Sequence, residues 1–101
     1  MNRAPDIQAL SFDCTAHARP VLEKLLGPPT VVITDGETFN IYYKLTAPVK
    51  GEDKEGQRKF KQIGEYAARI TNNNVQLNLE FCCTNLDTLL KKYPIPKELR
   101  Q

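Results

Sequence analysis

Cys14, His17 and the adjacent pair Cys82-Cys83 are the residues that could hold a soft metal ion in this 101-residue chain. Zinc sites draw thiolate and imidazole ligands from well-spaced pairs. Cys82 and Cys83 do not provide one, because neighbours on a strand point to opposite faces. Adjacent cysteines also suit disulfide geometry poorly. The three cysteines therefore read as structural thiols of a reducing compartment. Carboxylate chemistry fares no better. Asp13 and Asp35 both stand at the ends of β-rich runs, but Asp35 belongs to an Asp-Gly turn signal. A two-metal site would need a further carboxylate converging on them. No serine or cysteine has a sequence-visible base and orienter, and no Gly-rich loop could cradle phosphate. His17 reads as a surface or capping residue. The expectation is a protein that is not an enzyme, with no cofactor and no metal.

Binding chemistry has more to work with. Asn40, Tyr42 and Lys44 alternate along one run and share a strand face. A ring flanked by an amide and a cation is how sheet-surface modules stack and clamp a single-stranded base. Their expected neighbours on the first strand, Ala9, Ser11 and Asp13, add no second aromatic, and the competing reading is that Tyr42 packs beneath the third helix or simply sits on the sheet. Cations supply another candidate surface. Lys50, Lys54, Arg58, Lys59 and Lys61 run into a helix, and Lys91, Lys92, Lys97 and Arg100 gather near the C-terminus. Of these, Arg58, Lys61, Lys91 and Lys92 are the expected phosphate or partner contacts. Glu52, Asp53 and Glu55 interrupt the first group, and an ordinary solvated helix face is the competing reading. A formal charge of +2 permits nucleic acid as a partner without demanding it.

These residues need elements to position them. Ile7 to Cys14 alternates as a strand, with Leu10, Phe12 and Cys14 on one face. From about His17 the period becomes helical through Ala18, Val21, Leu22, Leu25 and Leu26, with Pro20 in the first turn. Gly27 and Pro28-Pro29 end that helix. Thr30 to Thr34 and Phe39 to Leu45 form a hairpin around Asp35-Gly36. A second helix spans about Glu55 to Thr71, with Phe60, Ile63, Ala67 and Ile70 turned to the sheet. Its Gly64 signals a close approach. Val75 to Cys83 alternates like a half-buried strand. Thr84 to Asp87 resembles a capping box that starts a short third helix through Leu89, Leu90 and Tyr93. Residues 94–101 form a mobile tail.

The expected fold is α+β: a ferredoxin-like (βαββαβ) antiparallel sheet, two helices on one face and a short C-terminal helix. Strand order 4-1-3-2 would make the first and third strands central. Strands with one polar face imply a sheet open on its other side, unless the third helix covers it. The length fits one domain. No apolar run reaches a membrane span, and the opening residues MNRAPDIQ lack an apolar signal core, so the expected location is cytoplasmic.

The segment FDCTAHARPVLEKLLGPPTVVITDGETFNIYYKLTAPV, Phe12 to Val49, resembles part of the primase-polymerase domains of phage and plasmid replication proteins. The shared features are a strand ending in an acid, a helix, a Pro-Pro-Thr step, and a hairpin leading into a Tyr-rich strand followed by proline. The resemblance implies an RRM-like core. Two departures bear on activity: Asn40 stands at or near the expected histidine, and Asp13 alone replaces the paired metal-binding acids. What it implies is a non-catalytic relative that keeps a nucleic-acid-facing sheet. The expected function is a small module binding single-stranded nucleic acid or a replication-type complex. The alternative is a protein-interaction or inhibitor module docking through its sheet edge or C-terminal helix, with a homodimer as one form.

Overall fold

A computed structural model describes residues 4–34 and 37–93. The Asp35-Gly36 turn and the 94–101 tail lie outside the described residues. The elements are β1 (Ile7–Cys14), α1 (Arg19–Leu26), β2 (Val31–Thr34), β3 (Phe39–Val49), α2 (Lys54–Ile70), β4 (Val75–Leu77), α3 (Leu79–Cys82) and α4 (Leu86–Lys92). The strands form one antiparallel sheet in the order β2-β3-β1-β4, with β1 and β3 central.

Local sequence explains most boundaries. Pro20 sits in the first turn of α1, and Gly27, at φ 88°, ends it with its N–H donated to the Glu23 carbonyl. Arg19 pairs with Glu23 at 2.7 Å and lies over the Phe39 ring, tying α1 to the sheet. Asp53 caps α2 by accepting from the Gly56 N–H at 2.9 Å. Gly64 leaves no room for a side chain, since a Cβ there would collide with the Leu77 side chain. The close approach that this glycine signals is therefore helix against β4. β3 runs on past Leu45, through Pro48 to Val49. The β1–β3 register slips between Ile7 and Ala9, paired with Val49 and Lys44, and Pro48 falls within that irregularity. A bulge tolerates a residue with no N–H to give the ladder.

Two differences from expectation reshape the molecule. β4 stops at Leu77, and the stretch that reads as its continuation is α3. Asn78 makes the change: its side chain accepts from the Phe81 N–H at 3.1 Å, an N-cap that competes with further strand. The consequence is a reversal of faces, with Leu79 58% exposed and Cys82 fully buried. Next, Asn85 rather than Thr84 caps α4, accepting from the Thr88 N–H.

The second difference follows from the first. α1 and α2 cover one face of the sheet through Phe12, Cys14, Leu22, Val32, Ile41, Ala67 and Val75. The other face is not open, because α3 and α4 roof it. Leu89, with Phe81, Leu86 and Tyr93, packs on Ala9, Val31, Ile33 and Tyr42. Each of two consecutive tyrosines on β3 fastens one layer. Tyr42 donates its hydroxyl to the Thr84 carbonyl in the roof, and Tyr43 donates to the Gly27 carbonyl at the end of α1, both at 2.8 Å. The edge of β1 beyond β4 is closed by α3. The Asn78 N–H reaches the Ser11 carbonyl at 2.8 Å, and the Ser11 N–H reaches Cys82 Sγ at 3.3 Å.

Candidate functional site

The cysteines fall out of consideration as nucleophiles. Burial pushes the Cys14 thiol up to about 11 and Cys82 up to about 12, and it raises Cys83 as well. Thiols held protonated at neutral pH are poor nucleophiles and poor ligands. Among the described residues no group of three His, Cys, Asp or Glu side chains converges on a metal-sized position. His17 is exposed beside the start of α1.

Asn40, Tyr42 and Lys44 do share a face with Ala9, Ser11 and Asp13, in the expected register. The expectation that they emerge on an exposed surface is corrected. Tyr42 is 0% exposed and Asn40 only 6%, because the roof lies on them. Only Lys44 reaches solvent. Burial pushes the Tyr42 hydroxyl up to about 12, with the nearby Cys82 thiol adding to the shift. Lys91 and Lys92, exposed on the last turn of α4, stand on this same side of the sheet. Arg58 and Lys61 lie on α2, across the sheet from them. Arg58 is engaged by Glu55, three residues earlier. The structure thus divides the expected contacts into two separated groups.

Among the described residues several surfaces could receive a ligand, including a hollow of about 410 Å³ bounded by Asp13, Thr38, Asn74 and Gln76; three others bear on the expected contacts. The first is a cleft of about 250 Å³ at the rim of the roof, lined by Asp13, Thr34, Asn40, Asn78, Phe81 and Tyr93 among others. A polar chain crosses its floor. Ser11 donates to Asn40 Oδ1 at 2.9 Å, and Asn40 Nδ2 donates to Asp13 Oδ1 at 3.0 Å. Asn78 Nδ2 donates to both Asp13 oxygens, at 3.2 and 3.3 Å. The Phe81 and Tyr93 rings stand 5.2 Å apart, and Lys92 Nζ lies 5.6 Å from the Tyr93 ring centroid. Sequence reasoning passed over Asn78 and Phe81. The available signal was an Asn followed by an acid at the second helical position, an N-cap pattern masked by strict apolar alternation.

The second surface lies between α1 and α2. Val21 and Ile70 line one depression of about 330 Å³ together with His17 and Arg69. Leu25 continues the flank of Val21 at i,i+4, and Ile63 and Tyr66 continue that of Ile70. All five of these apolar side chains are exposed, Ile63 and Ile70 against the expectation that they turn to the sheet, which Phe60, Gly64 and Ala67 face instead. The third is a hollow of about 490 Å³ between α2 and the β4 edge, bounded by Lys61, Gly64, Ala68, Leu77 and Leu79.

Comparison with protein-family models, curated proteins and solved structures finds no match. No described helix is long and apolar enough to cross a membrane.

Proposed function

We propose that this chain is a small non-catalytic binding module whose partner is a protein docking on the α1–α2 side. One observation carries the reading: two apolar stripes, Val21–Leu25 and Ile63–Tyr66–Ile70, face solvent along neighbouring helix flanks. Apolar side chains gathered in one place on a surface are a mark of interaction sites, whereas scattered ones are ordinary. The frame is read as ferredoxin-like, supported by the β1-α1-β2-β3-α2-β4 order and the two central strands. The test is affinity capture with wild type and with a Val21→Asp/Ile70→Asp variant shown to be folded by circular dichroism. A partner held by wild type and released by the variant supports the reading. Equal retention by both counts against it. A second copy of the chain is one such partner, and sedimentation velocity would show it.

A second reading rests on a different observation: Lys44, Lys91 and Lys92 share the roof side with the Tyr93 ring. Together with the resemblance to primase-polymerase domains, this favours single-stranded nucleic acid or a replication-type complex. Arg58 and Lys61 would then contribute on the far side only if the strand wrapped the molecule. Anisotropy of a labelled single strand at two salt concentrations tests it. Salt-sensitive binding weakened by Lys91→Ala/Lys92→Ala supports it, and no binding at low salt removes it.

A further inference from the structure

The cleft at the roof's rim is chemically unlike the α1–α2 flank and stands on the opposite side of the sheet. We propose that it receives the guanidinium of an arginine side chain presented by a peptide. The reading does not depend on the α1–α2 surface.

Among the described residues that line the cleft, Asp13 is the one charged side chain. Its carboxylate is held from behind by two amides, with Asn40 and Asn78 both on Oδ1 and only the 3.3 Å contact on Oδ2. A carboxylate offers acceptors alone. What it lacks is a donor from the solvent side, where Asp13 is exposed. Those amides are themselves fixed. Asn40 accepts from Ser11, and Asn78 accepts from the Phe81 N–H, so the carboxylate is oriented before any ligand arrives. Orientation of this kind reduces the ordering that binding must otherwise impose.

The walls narrow the ligand class. Phe81 and Tyr93, whose rings pack on each other at 5.2 Å, line the same cleft as the carboxylate. The Lys92 ammonium lies 5.6 Å from the Tyr93 centroid, so a guanidinium has to take the part of the ring pair that Lys92 leaves free. A guanidinium is planar, stacks on aromatic faces and directs N–H groups along its edge, so it can meet ring and carboxylate together. An ammonium is more strongly hydrated and presents no flat face. A nucleotide could stack on the same rings, with Lys92 attracting its phosphate and Asp13 repelling it, so a single strand is the competing ligand that the experiment separates. The cleft is also short of the size that encloses a drug-like molecule, which fits one side-chain head group.

The experiment uses the full chain, labelled for NMR, titrated with acetyl-Gly-Arg-Gly-amide and with the same peptide carrying citrulline. Citrulline keeps the shape and planar N–H groups but loses the charge. The expected result is saturable shifts of the Asn40 and Asn78 side-chain amides and the Tyr93 ring. Affinity for the citrulline peptide should fall at least about fivefold, as expected when a charge-assisted contact becomes neutral. Asp13→Asn should abolish the difference between the two peptides. Because Asp13 helps to hold Asn78, that variant could lose α3; the citrulline comparison on the wild-type chain then decides alone. Equal binding of the two peptides overturns the proposal. So do shifts centred on the exposed Glu80 and Asp87, or cleft signals that move with a short single strand but not with the arginine peptide.

Discussion

Removing the Tyr42 hydroxyl tests whether the roof is fastened where the structure places the fastening. Tyr42→Phe keeps the ring among Ala9, Val31, Ile33 and Leu89 and deletes one bond, the 2.8 Å donation to the Thr84 carbonyl. If water replaces the hydroxyl, the cost is about 1 kcal/mol, and it is greater if the carbonyl stays dry. Thr84 is half-buried, so a middle value of about 1.5 kcal/mol is expected. For a domain of this size that lowers Tm by roughly 6–12 °C. Tyr42→Ala removes the ring as well and should cost about 3–5 kcal/mol, a large part of a small domain's stability. Urea titrations followed by circular dichroism give the free energies, provided the slope is unchanged. Hydrogen exchange should show the loss first in α3 and α4. A Phe variant within about 0.3 kcal/mol of wild type, well below the mean for a lost hydrogen bond, would refute the roofed sheet. The same reasoning changes how binding assays are read: lost binding in Tyr42→Ala would report unfolding, whereas Lys44→Ala alters the exposed surface alone.

Other expectations concern the helical side, the cap and pH. Gly64→Ala gains about 1 kcal/mol of helix propensity but forces Leu77 aside, at about 1–3 kcal/mol for overpacking, so net destabilisation is expected. A double-mutant cycle with Leu77→Ala should show that cost largely relieved; additive effects would contradict the contact. Asn78→Ala removes the α3 cap and an Asp13 partner, and should destabilise by about 1 kcal/mol in urea titration. Above pH 9 the chain should lose stability steadily. Burial raises Cys14 and Cys82 from 9.0 to about 11 and 12, and it raises Tyr42 and Tyr43 from 10.0 to about 12. The unfolded chain therefore releases these protons first. Their contribution is intact below pH 9 and is lost as pH rises through 11 to 12. Urea midpoints measured from pH 8 to 11 check this, and a flat profile would contradict the burial of these groups.

The frame was legible because its signals were local and mutually consistent. The bounds of β1, the Gly27 stop, the facing residues of β3 and the meaning of Gly64 all follow from period and backbone chemistry. Val75 to Cys83 was not legible in the same way. Its alternation satisfies a strand over every residue, while the helix depends on one side-chain bond from Asn78 to the Phe81 N–H. A single cap can outweigh a periodic pattern once the β1 edge offers the Cys82 thiol a place. The misread strand carried the candidate site with it. With β4 short, the chain folds back over Asn40 and Tyr42, and the functional surface moves from the sheet to the roof's rim and the helix flanks. Lys44, Lys91 and Lys92 kept their exposure because long cationic side chains reach solvent from almost any backbone position.

The substitution of α3 for more of β4 also bears on what the protein does when crowded. A free strand edge is a template on which another chain can add by backbone pairing, the step that begins fibrous aggregation. On the β4 side that template is only Val75–Leu77, and next to it the Ser11 N–H and carbonyl are already occupied by Cys82 and Asn78. A helix has no edge to extend. By turning at Asn78 the chain ends its own sheet and closes the far side of β1 at Ser11. Among the described residues the opposite rim is the four residues of β2, with side chains committed to the core, together with the end of β3 past Tyr42 that β2 does not pair.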